Sequence, residues 1–214
     1  MEYFASGKYH EALLLFKKLD AEYELNPRFK AYIGVCYYYE WDYEQAAAYI
    51  DAVIDQLDIY APHERSFYYF ADAESHFQMG HYRECIPLYE RQLQVCYDNE
   101  KGDSYYRVGF SRMFLEEWED ALVAFEHALD SYRRFRNTPE QQARITQIEK
   151  MITGIREKIE ANKPAEPEKP VETVETEAEK LAEVKTPTDE DEAQDILAPS
   201  IFVKTDGEEA GKRP

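Results

Sequence analysis

Four stretches of this 214-residue chain repeat one short pattern. Each has an aromatic residue, a small residue three positions later, and a large apolar or aromatic residue four positions after that. The stretches are Gly7–Phe16, Trp41–Ile50, Gly80–Tyr89 and Glu116–Phe125. Their small residues, Ala12, Ala46, Cys85 and Ala121, are separated by 34, 39 and 36 positions. A period near 34 is typical of stacked helical hairpins, and the longer intervals predict short insertions at turns.

The segment before each pattern supplies the other helix of a hairpin. Asn26 followed by Pro27 is typical of a helix start, because an asparagine side chain caps free backbone N–H groups and proline needs no N–H there. The small residues Gly34, Ala73 and Gly109 occupy one equivalent position in three of these segments. We expect two helices to approach closely at that position, where a large side chain would force them apart.

These residues resemble the tetratricopeptide repeat family. That family has an aromatic residue, Leu-Gly and Tyr on its first helix, which we call helix A, and Gly-x-Tyr, Ala and an aromatic residue on its second, helix B. Ile33-Gly34 with Tyr37, Val108-Gly109 and the four helix-B patterns carry the resemblance. It covers about residues 1–136 and implies an all-α solenoid of about three and a half hairpins.

The chain departs from the family pattern at several positions. Its first repeat keeps only a stub of helix A, residues 1–6. The other departures are Trp41 and Glu116 in place of the turn glycine, Cys85 in place of alanine, Asp72-Ala73 in place of Leu-Gly and His76 in place of tyrosine. The third repeat, which holds three of these changes, matches the family least.

A further helix is predicted over residues 137–162. Thr138-Pro139-Glu140-Gln141 combines a capping residue, a proline at the first helical position and a glutamine that completes a capping box. An apolar stripe follows with spacings of 3, 4, 3 and 4: Ile145, Ile148, Ile152, Ile155 and Ile159. We interpret it as a cap over the last hairpin, which a solenoid end requires. A dimerising coiled-coil seam is the alternative.

Residues 163–214 differ in composition from the rest of the chain. These 52 residues include 15 acids, 7 bases and six prolines, with Phe202 as the single aromatic. Such a segment buries too little apolar surface to offset the entropy of ordering, so a disordered acidic tail is predicted. One apolar island, Ile196–Val203, interrupts it. It arises either by chance or as a short motif that docks on another protein or on this chain's own groove.

Charge and cysteine content exclude several classes. The chain has 44 acids against 25 bases, a net charge of -19, which argues against a nucleic-acid partner. It has no run of 18 apolar residues, so no membrane span is expected, and its first residues do not form a signal peptide. The three cysteines, Cys36, Cys85 and Cys96, form no CxxC pair. They fit reduced thiols in the cytoplasm.

The sequence contains no catalytic motif. Neither GxSxG nor HExxH occurs. His76, His81 and Cys85 lie close in sequence and raise the possibility of a metal site, but a fourth ligand is missing. We interpret them as residues that fill the hairpin. We therefore expect no metal, no cofactor and no enzymatic activity.

The resemblance implies that the A helices line a concave wall, mostly at their second, fifth, ninth, twelfth and thirteenth positions. Carried onto this sequence, these positions include Ala31 and Val35, and eight of the fifteen are aromatic. The predicted groove residues are Tyr38, Tyr39, Phe67, Phe70, Phe77, Tyr106, Phe110 and Phe114. Aromatic side chains on such a wall favour a peptide with an apolar or aromatic anchor, and the acidic surround favours basic flanks.

The function implied by this resemblance is protein–protein interaction by a non-enzymatic scaffold or adaptor. The alternative is a chaperone that shields an apolar segment of a dedicated client, as acidic tetratricopeptide proteins of bacterial secretion systems do. A third family subtype clamps the C-terminal carboxylate of a chaperone tail with lysines, asparagine and arginine. It is disfavoured, because Arg107 alone has a suitable type at the matching positions.

Overall fold

The computed structural model describes residues 1–135 and 139–163, which belong to one compact unit, Met1–Ala165. The described part of the chain contains nine α-helices and one 3₁₀ helix, Ile54–Ile59. The α-helices are α1 Glu2–Ala5, α2 Tyr9–Tyr23, α3 Pro27–Tyr39, α4 Tyr43–Asp51, α5 Pro62–Gln78, α6 Tyr82–Leu93, α7 Lys101–Phe114, α8 Trp118–Phe135 and α9 Pro139–Asn162. Helices α1, α3, α5 and α7 are the A helices, and α2, α4, α6 and α8 are the B helices.

The four A-to-B turns share one hydrogen-bond pattern. In each, a residue with positive φ is followed by a backbone N–H that bonds the carbonyl five residues earlier. Gly7 and Gly80 take this conformation with φ of 74° and 78°. Trp41 and Glu116 take it as well, with φ of 63° and 60°. The turn geometry therefore persists where glycine is missing, although a left-handed non-glycine residue adds about 1–2 kcal/mol of strain.

The predicted helix-B register is confirmed. The small residues Ala12, Ala46, Cys85 and Ala121 are all buried, and so are the large residues Phe16, Ile50, Tyr89 and Phe125. Close approach is also confirmed at both glycines. A Cβ added to Gly34 would lie 2.4 Å from Ile50 Cγ1, and one added to Gly109 would lie 2.9 Å from the Phe125 ring. The second and fourth hairpins thus cross where only a small residue fits.

The long spacing between Ala46 and Cys85 has a structural cause. The 3₁₀ helix Ile54–Ile59 lies between α4 and α5 and adds residues to that connection. Its Leu57 and Ile54 are buried in the core. The predicted insertion is therefore a packed element that extends the core.

Helix α3 begins as predicted. Pro27 is its first residue, and Asn26 Oδ1 accepts a hydrogen bond from the backbone N–H of Phe29 at 3.3 Å. The predicted cap of α9, Thr138, lies outside the described residues. So does the predicted tail beyond Lys163.

The stripe of α9 packs onto α8. Ile145, Ile148, Ile152 and Ile155 are buried in one cluster with α8 residues such as Phe125. The end of the solenoid is therefore capped. Because this stripe is buried within the chain, it is not available as the dimer seam considered above.

Cys96 lies in the connection between α6 and α7. Helix α6 ends at Leu93, and Cys96 lies partly exposed in the turn that follows. None of the helices in the described ranges is both long and apolar enough to cross a bilayer.

Candidate partner-binding groove

The A helices of successive hairpins touch one another and form a wall. Phe4 of α1 lies 4.6 Å from Tyr32 of α3, and Tyr32 lies 5.8 Å from Tyr68 of α5, between ring centroids. Helix α5 in turn contacts α7. We call this surface, built by α1, α3, α5 and α7, the A-helix wall.

A cavity of about 530 Å³ opens on the A-helix wall. Its apolar lining is aromatic, and its remaining lining is polar or acidic. The lining residues are Phe4, Tyr32, Phe67, Tyr68 and Phe70, with His63, Glu64, Ser66, Gln92, Glu100 and Asp103. A volume of this size falls within the roughly 300–1,000 Å³ typical of ligand pockets.

The start of α5 explains the aromatic side of the cavity. Residues three apart lie on one face of a helix, so Phe67 and Phe70 face the same way. Both are partly exposed, whereas the intervening Tyr68 and Tyr69 are buried. In the Phe67-Tyr-Tyr-Phe70 run, the two phenylalanines are therefore the accessible part of the cavity lining, Tyr68 lines it from a buried position, and Tyr69 packs in the core.

Glu64 is a cavity carboxylate held by hydrogen bonds from two neighbouring residues. Its oxygens accept hydrogen bonds from Arg28 Nε at 2.6 Å, Arg28 Nη2 at 2.9 Å and the Tyr68 hydroxyl at 2.6 Å. Burial alone would raise the pKa of the Glu64 carboxyl, but the bonds from Tyr68 and Arg28 outweigh it and hold the pKa below its usual value. Glu64 is therefore ionised and paired.

The rim of the cavity is acidic overall. Glu100 accepts a hydrogen bond from the backbone N–H of Tyr97 at 3.1 Å, and Asp103 accepts one from the Tyr132 hydroxyl. Among the described lining residues there are three carboxylates and no lysine or arginine. An acidic lining of this kind favours a partner with lysine or arginine.

Tyr38 and Tyr39 extend the aromatic surface away from the cavity. The Tyr39 ring stacks on Tyr9 at 3.9 Å and lies 6.4 Å from Phe67. Tyr38 lies 5.1 Å from Tyr39, and burial raises its pKa to about 12. Four of the predicted groove residues, these two with Phe67 and Phe70, thus belong to one continuous surface.

Phe77, Phe110 and Phe114 form a second aromatic group, further along the wall. Tyr82 links them, because its ring lies 5.6 Å from Phe77 and 4.6 Å from Phe114, while Phe110 lies 6.2 Å from Phe114. Phe114 is 52% exposed. These three predicted residues are brought together, but they do not line the cavity.

Tyr106 differs from the other predicted groove residues because it is only 6% exposed. Its ring packs 6.0 Å from Phe125, and the Arg144 guanidinium of α9 lies 4.2 Å from its centroid. The capping helix thus covers this end of the A-helix wall. We place Tyr106 in the core and leave it out of the binding surface.

A buried ion pair separates the two aromatic groups. Glu74 accepts hydrogen bonds from Arg107 Nε at 2.6 Å, Arg107 Nη2 at 2.9 Å and the Tyr89 hydroxyl at 2.5 Å. The Arg107 guanidinium also lies 4.6 Å from the Phe77 ring centroid. Arg107 is therefore committed to Glu74, which argues further against a carboxylate clamp.

Sequence reasoning missed part of the cavity. Ala31 and Val35, placed on the concave wall by the family register, are fully buried, and Tyr32 lines the cavity instead. Phe4 was missed because the first helix A looked like a stub. One signal was present, since Phe4 lies 30 positions before Gly34 and close to the aromatic Tyr9. It contacts both Tyr9 and Phe67.

The cysteines of the hairpins are not activated nucleophiles. Burial raises the pKa of Cys36 to about 12 and that of Cys85 to about 11. Both thiols are therefore protonated at neutral pH, whereas nucleophilic cysteines need a thiolate. The groove offers shape, aromatic surface and charge, which suit non-covalent binding.

No protein-family model matches the sequence, and no curated protein matches it either. The fold is similar to solved structures of MamA. The MamA 41-end structure from Desulfovibrio magneticus RS-1 has a TM-score of 0.50 at 14% identity, covering 76% of this chain and 92% of that chain. MamA AMB-1 has a TM-score of 0.52 at 14% identity, covering 76% and 88%. A further crystal structure of MamA has a TM-score of 0.50 at 17% identity, covering 75% and 94%. At such identities the likeness concerns the fold alone, an all-helical solenoid of tetratricopeptide-like hairpins.

Proposed function

We propose that this protein is a non-enzymatic interaction module whose cavity on the A-helix wall receives an apolar or aromatic side chain of a protein partner. The observation that carries the proposal is the aromatic lining of that cavity, Phe4, Phe67 and Phe70, beside an acidic rim. The rim selects partners with lysine or arginine next to the anchor. The module acts as a scaffold or adaptor.

The affinity of one anchor can be bounded. An aromatic side chain buries about 150–250 Å² and gains roughly 25 cal/mol for each Å², which is about 4–6 kcal/mol before other terms. Lost rotational freedom and side-chain ordering offset much of this gain. We therefore expect a peptide that contributes this anchor alone to bind no more tightly than about the millimolar range. Contacts along Tyr39 and Tyr9 and at the second aromatic group would tighten binding of a longer segment.

The test is selection of peptides from a displayed library on the full chain, followed by affinity measurement. The substitution Phe67→Ala should weaken the selected peptides at least about tenfold, because it removes an aromatic wall of the cavity. Phe135→Ala, which truncates an aromatic that is 43% exposed on α8, is the matched control and should change little. Equal effects of the two substitutions, with helicity intact, would place the binding site elsewhere.

The chaperone alternative makes a separable prediction. A dedicated chaperone should suppress aggregation of its client at stoichiometric concentration, and Phe67→Ala should abolish that effect. An adaptor should bind one motif without changing the partner's solubility. Light scattering of the partner with and without this protein distinguishes the two roles.

The chain's own segment Ile196–Val203, which lies outside the described residues, is a candidate occupant of the groove. About 33 residues separate it from the end of α9. As part of the same chain, a segment that docks in the groove would compete with free peptides at a roughly millimolar effective concentration. Deleting residues 163–214 should then raise the affinity for groove peptides. Unchanged affinity would eliminate self-docking and leave an external partner as the occupant.

The state of the cysteines supports the cytoplasm as the compartment. Cys36 and Cys85 are buried free thiols, and Cys96 is a partly buried one. Reduced thiols of this kind fit a reducing compartment. Counting thiols in protein isolated from its native cells under alkylating conditions would test the assignment.

A further inference from the structure

A polar cluster lies where α4 meets α5, and the residues that form it do not line the cavity. Asp51 is the last residue of α4, and Asp72 and His76 lie one turn apart on α5. His76 Nε2 lies 3.2 Å from Asp51 Oδ2 and 3.8 Å from Asp72 Oδ1. One donor atom from each residue falls within 4.8 Å of the other two.

Asp72 is the unusual member of the cluster. Its side chain is fully buried, and neither carboxylate oxygen has a hydrogen-bond partner. Arg91 is the cation near it, but Arg91 pairs with Asp55 at 3.0 Å and Asp58 at 3.8 Å. A buried polar group without a partner destabilises a protein, and a charged one does so more strongly. Such a group needs an explanation beyond packing.

The sequence points to the same residues. Asp72 and His76 occupy positions that hold Ile33 and Tyr37 in α3, both buried. These are two of the departures from the tetratricopeptide pattern, and the fold brings them against each other and against Asp51. An apolar residue at position 72 would pack without penalty. Polar residues at these two buried positions therefore favour a bound ligand over simple packing.

We propose that Asp51, Asp72 and His76 bind a divalent transition-metal ion of the Zn²⁺ type. Zn²⁺ accepts carboxylate oxygen and imidazole nitrogen ligands at about 2.0–2.2 Å, which places ligand atoms about 3.3 Å apart in a tetrahedral site. The observed separations of 3.2 and 3.8 Å are close to that spacing. The imidazole favours Zn²⁺ over Mg²⁺ or Ca²⁺, which prefer oxygen ligands.

The surroundings indicate how such an ion would enter and be held. The Asp51 side chain is 50% exposed, so the cluster opens to solvent on that side and leaves room for water as a fourth ligand. On the opposite side the fully buried Asp72 carboxylate would hold the ion from the interior. The ion would tie α4 to α5 and stiffen the joint between the second and third hairpins.

His76 Nδ1 is buried and has no hydrogen-bond partner. Metal-bound histidines usually donate this second N–H to a carboxylate or carbonyl, and removing such a partner weakens binding by roughly 10–100-fold. We therefore expect an affinity lower than that of fully supported zinc sites. Cys85 is not one of the proposed ligands, because its Sγ contacts Ser111 Oγ of α7 at 3.1 Å.

The test uses the full chain, stripped with a chelator and titrated with ZnCl₂ in an isothermal calorimeter. Excess MgCl₂ masks weak binding to the acidic surface. We expect one Zn²⁺ site that is at least tenfold weaker in Asp72→Leu and in His76→Gln. Asp72→Leu restores the apolar residue of the family and should fold at least as well as the parent chain. His10→Gln, which alters an exposed histidine paired with Glu40 at 2.9 Å, is the matched control and should leave the site unchanged.

A second readout is the melting temperature. Zn²⁺ should raise it for the parent chain and for His10→Gln, but not for Asp72→Leu, because a ligand stabilises only a protein that binds it. Absence of a Zn²⁺ site in the parent chain, or an equal site in Asp72→Leu, would overturn the proposal. Neither result would bear on the peptide groove, because none of the three ligands lines the cavity.

Discussion

The second and third hairpins share one geometry but bury different chemistry. The buried run of α3, from Ala31 to Tyr37, contains aliphatic and aromatic residues, one glycine and one cysteine. The equivalent part of α5 buries Asp72, Glu74 and His76. Yet both hairpins close with the same turn hydrogen bonds and bury the same small and large helix-B positions. Formation of the hairpin therefore depends more on the sizes of the residues where its helices cross than on an apolar interior.

Most of the polar groups of the third hairpin are satisfied across helices. Gln92 of α6 donates to Ser66 of α5 at 3.2 Å and accepts from Ser104 of α7 at 2.6 Å. Glu74 is bonded by Arg107, as described above. The exceptions among the described residues are the Asp72 carboxylate, His76 Nδ1 and Arg65 Nε. The third hairpin thus supplies the cavity residues Phe67 and Phe70 and two of the three residues of the polar cluster, which makes it the specialised repeat.

The largest expected effect on stability comes from placing an aspartate in the second hairpin at the position equivalent to Asp72. Ile33→Asp would bury a carboxylate at a fully buried position, so it should lower the free energy of unfolding by about 4 kcal/mol or more. Ile59→Asp, at a position 83% exposed, is the control and should change it little. Urea denaturation measures both. Similar free energies of unfolding for Ile33→Asp and Ile59→Asp would show that the repeats do not align as described.

A leucine at the crossing of the second hairpin should have the next largest effect. In Gly34→Leu even the Cβ lies 2.4 Å from Ile50 and 3.0 Å from the Ala46 carbonyl oxygen, so overpacking should destabilise the chain by about 3 kcal/mol. The matched control is Gly154→Leu in α9, whose Cβ would meet nothing within 4 Å. It should be neutral or slightly stabilising, because glycine is a poor helix former. Equal melting temperatures for the two variants would contradict the predicted register.

Replacing Asp72 by an apolar residue makes the third hairpin more like the second. This change should affect stability less, and it should stabilise the protein. In metal-free protein, Asp72→Leu removes a buried carboxyl without hydrogen-bond partners and should raise the free energy of unfolding by about 1–3 kcal/mol. The same denaturation experiment checks it. Destabilisation by this change would mean that Asp72 has a structural role as it stands.

The smallest effect should follow from unbalancing the cavity rim. Arg28→Gln leaves the charge of Glu64 uncompensated and should strengthen binding of basic groove peptides several-fold, more so at low salt. Arg156→Gln breaks a comparable exposed pair with Glu126, remote from the cavity, and should have no such effect. Peptide affinity at two salt concentrations distinguishes the variants.

The repeat architecture could be predicted because its signals are local. Aromatic, small and large residues at spacings of three and four define one helix face, and Gly34 and Gly109 mark the crossings. The structure confirms this fold, including the cap formed by the isoleucines of α9. The left-handed turns at Trp41 and Glu116 show that the turn survives loss of its usual glycine.

The site was harder to predict because it depends on contacts between repeats. Phe4 contacts Tyr32 and Phe67 only after three hairpins stack, and α9 buries Tyr106 from a distance of nearly 40 residues along the chain. Asp51 likewise reaches Asp72 and His76 only through packing of α4 on α5. A family register gives positions within one helix, but it does not give the neighbours that cover or extend them.

The central claim is that a partner's anchor enters the cavity on the A-helix wall. The most direct test is a groove peptide with a benzoylphenylalanine in place of its aromatic anchor, photo-crosslinked to the full chain and located by mass spectrometry. We predict crosslinks to residues of the cavity lining, chiefly Phe4, Tyr32 and Phe67. Crosslinks confined to the B helices or to α9 would contradict the account.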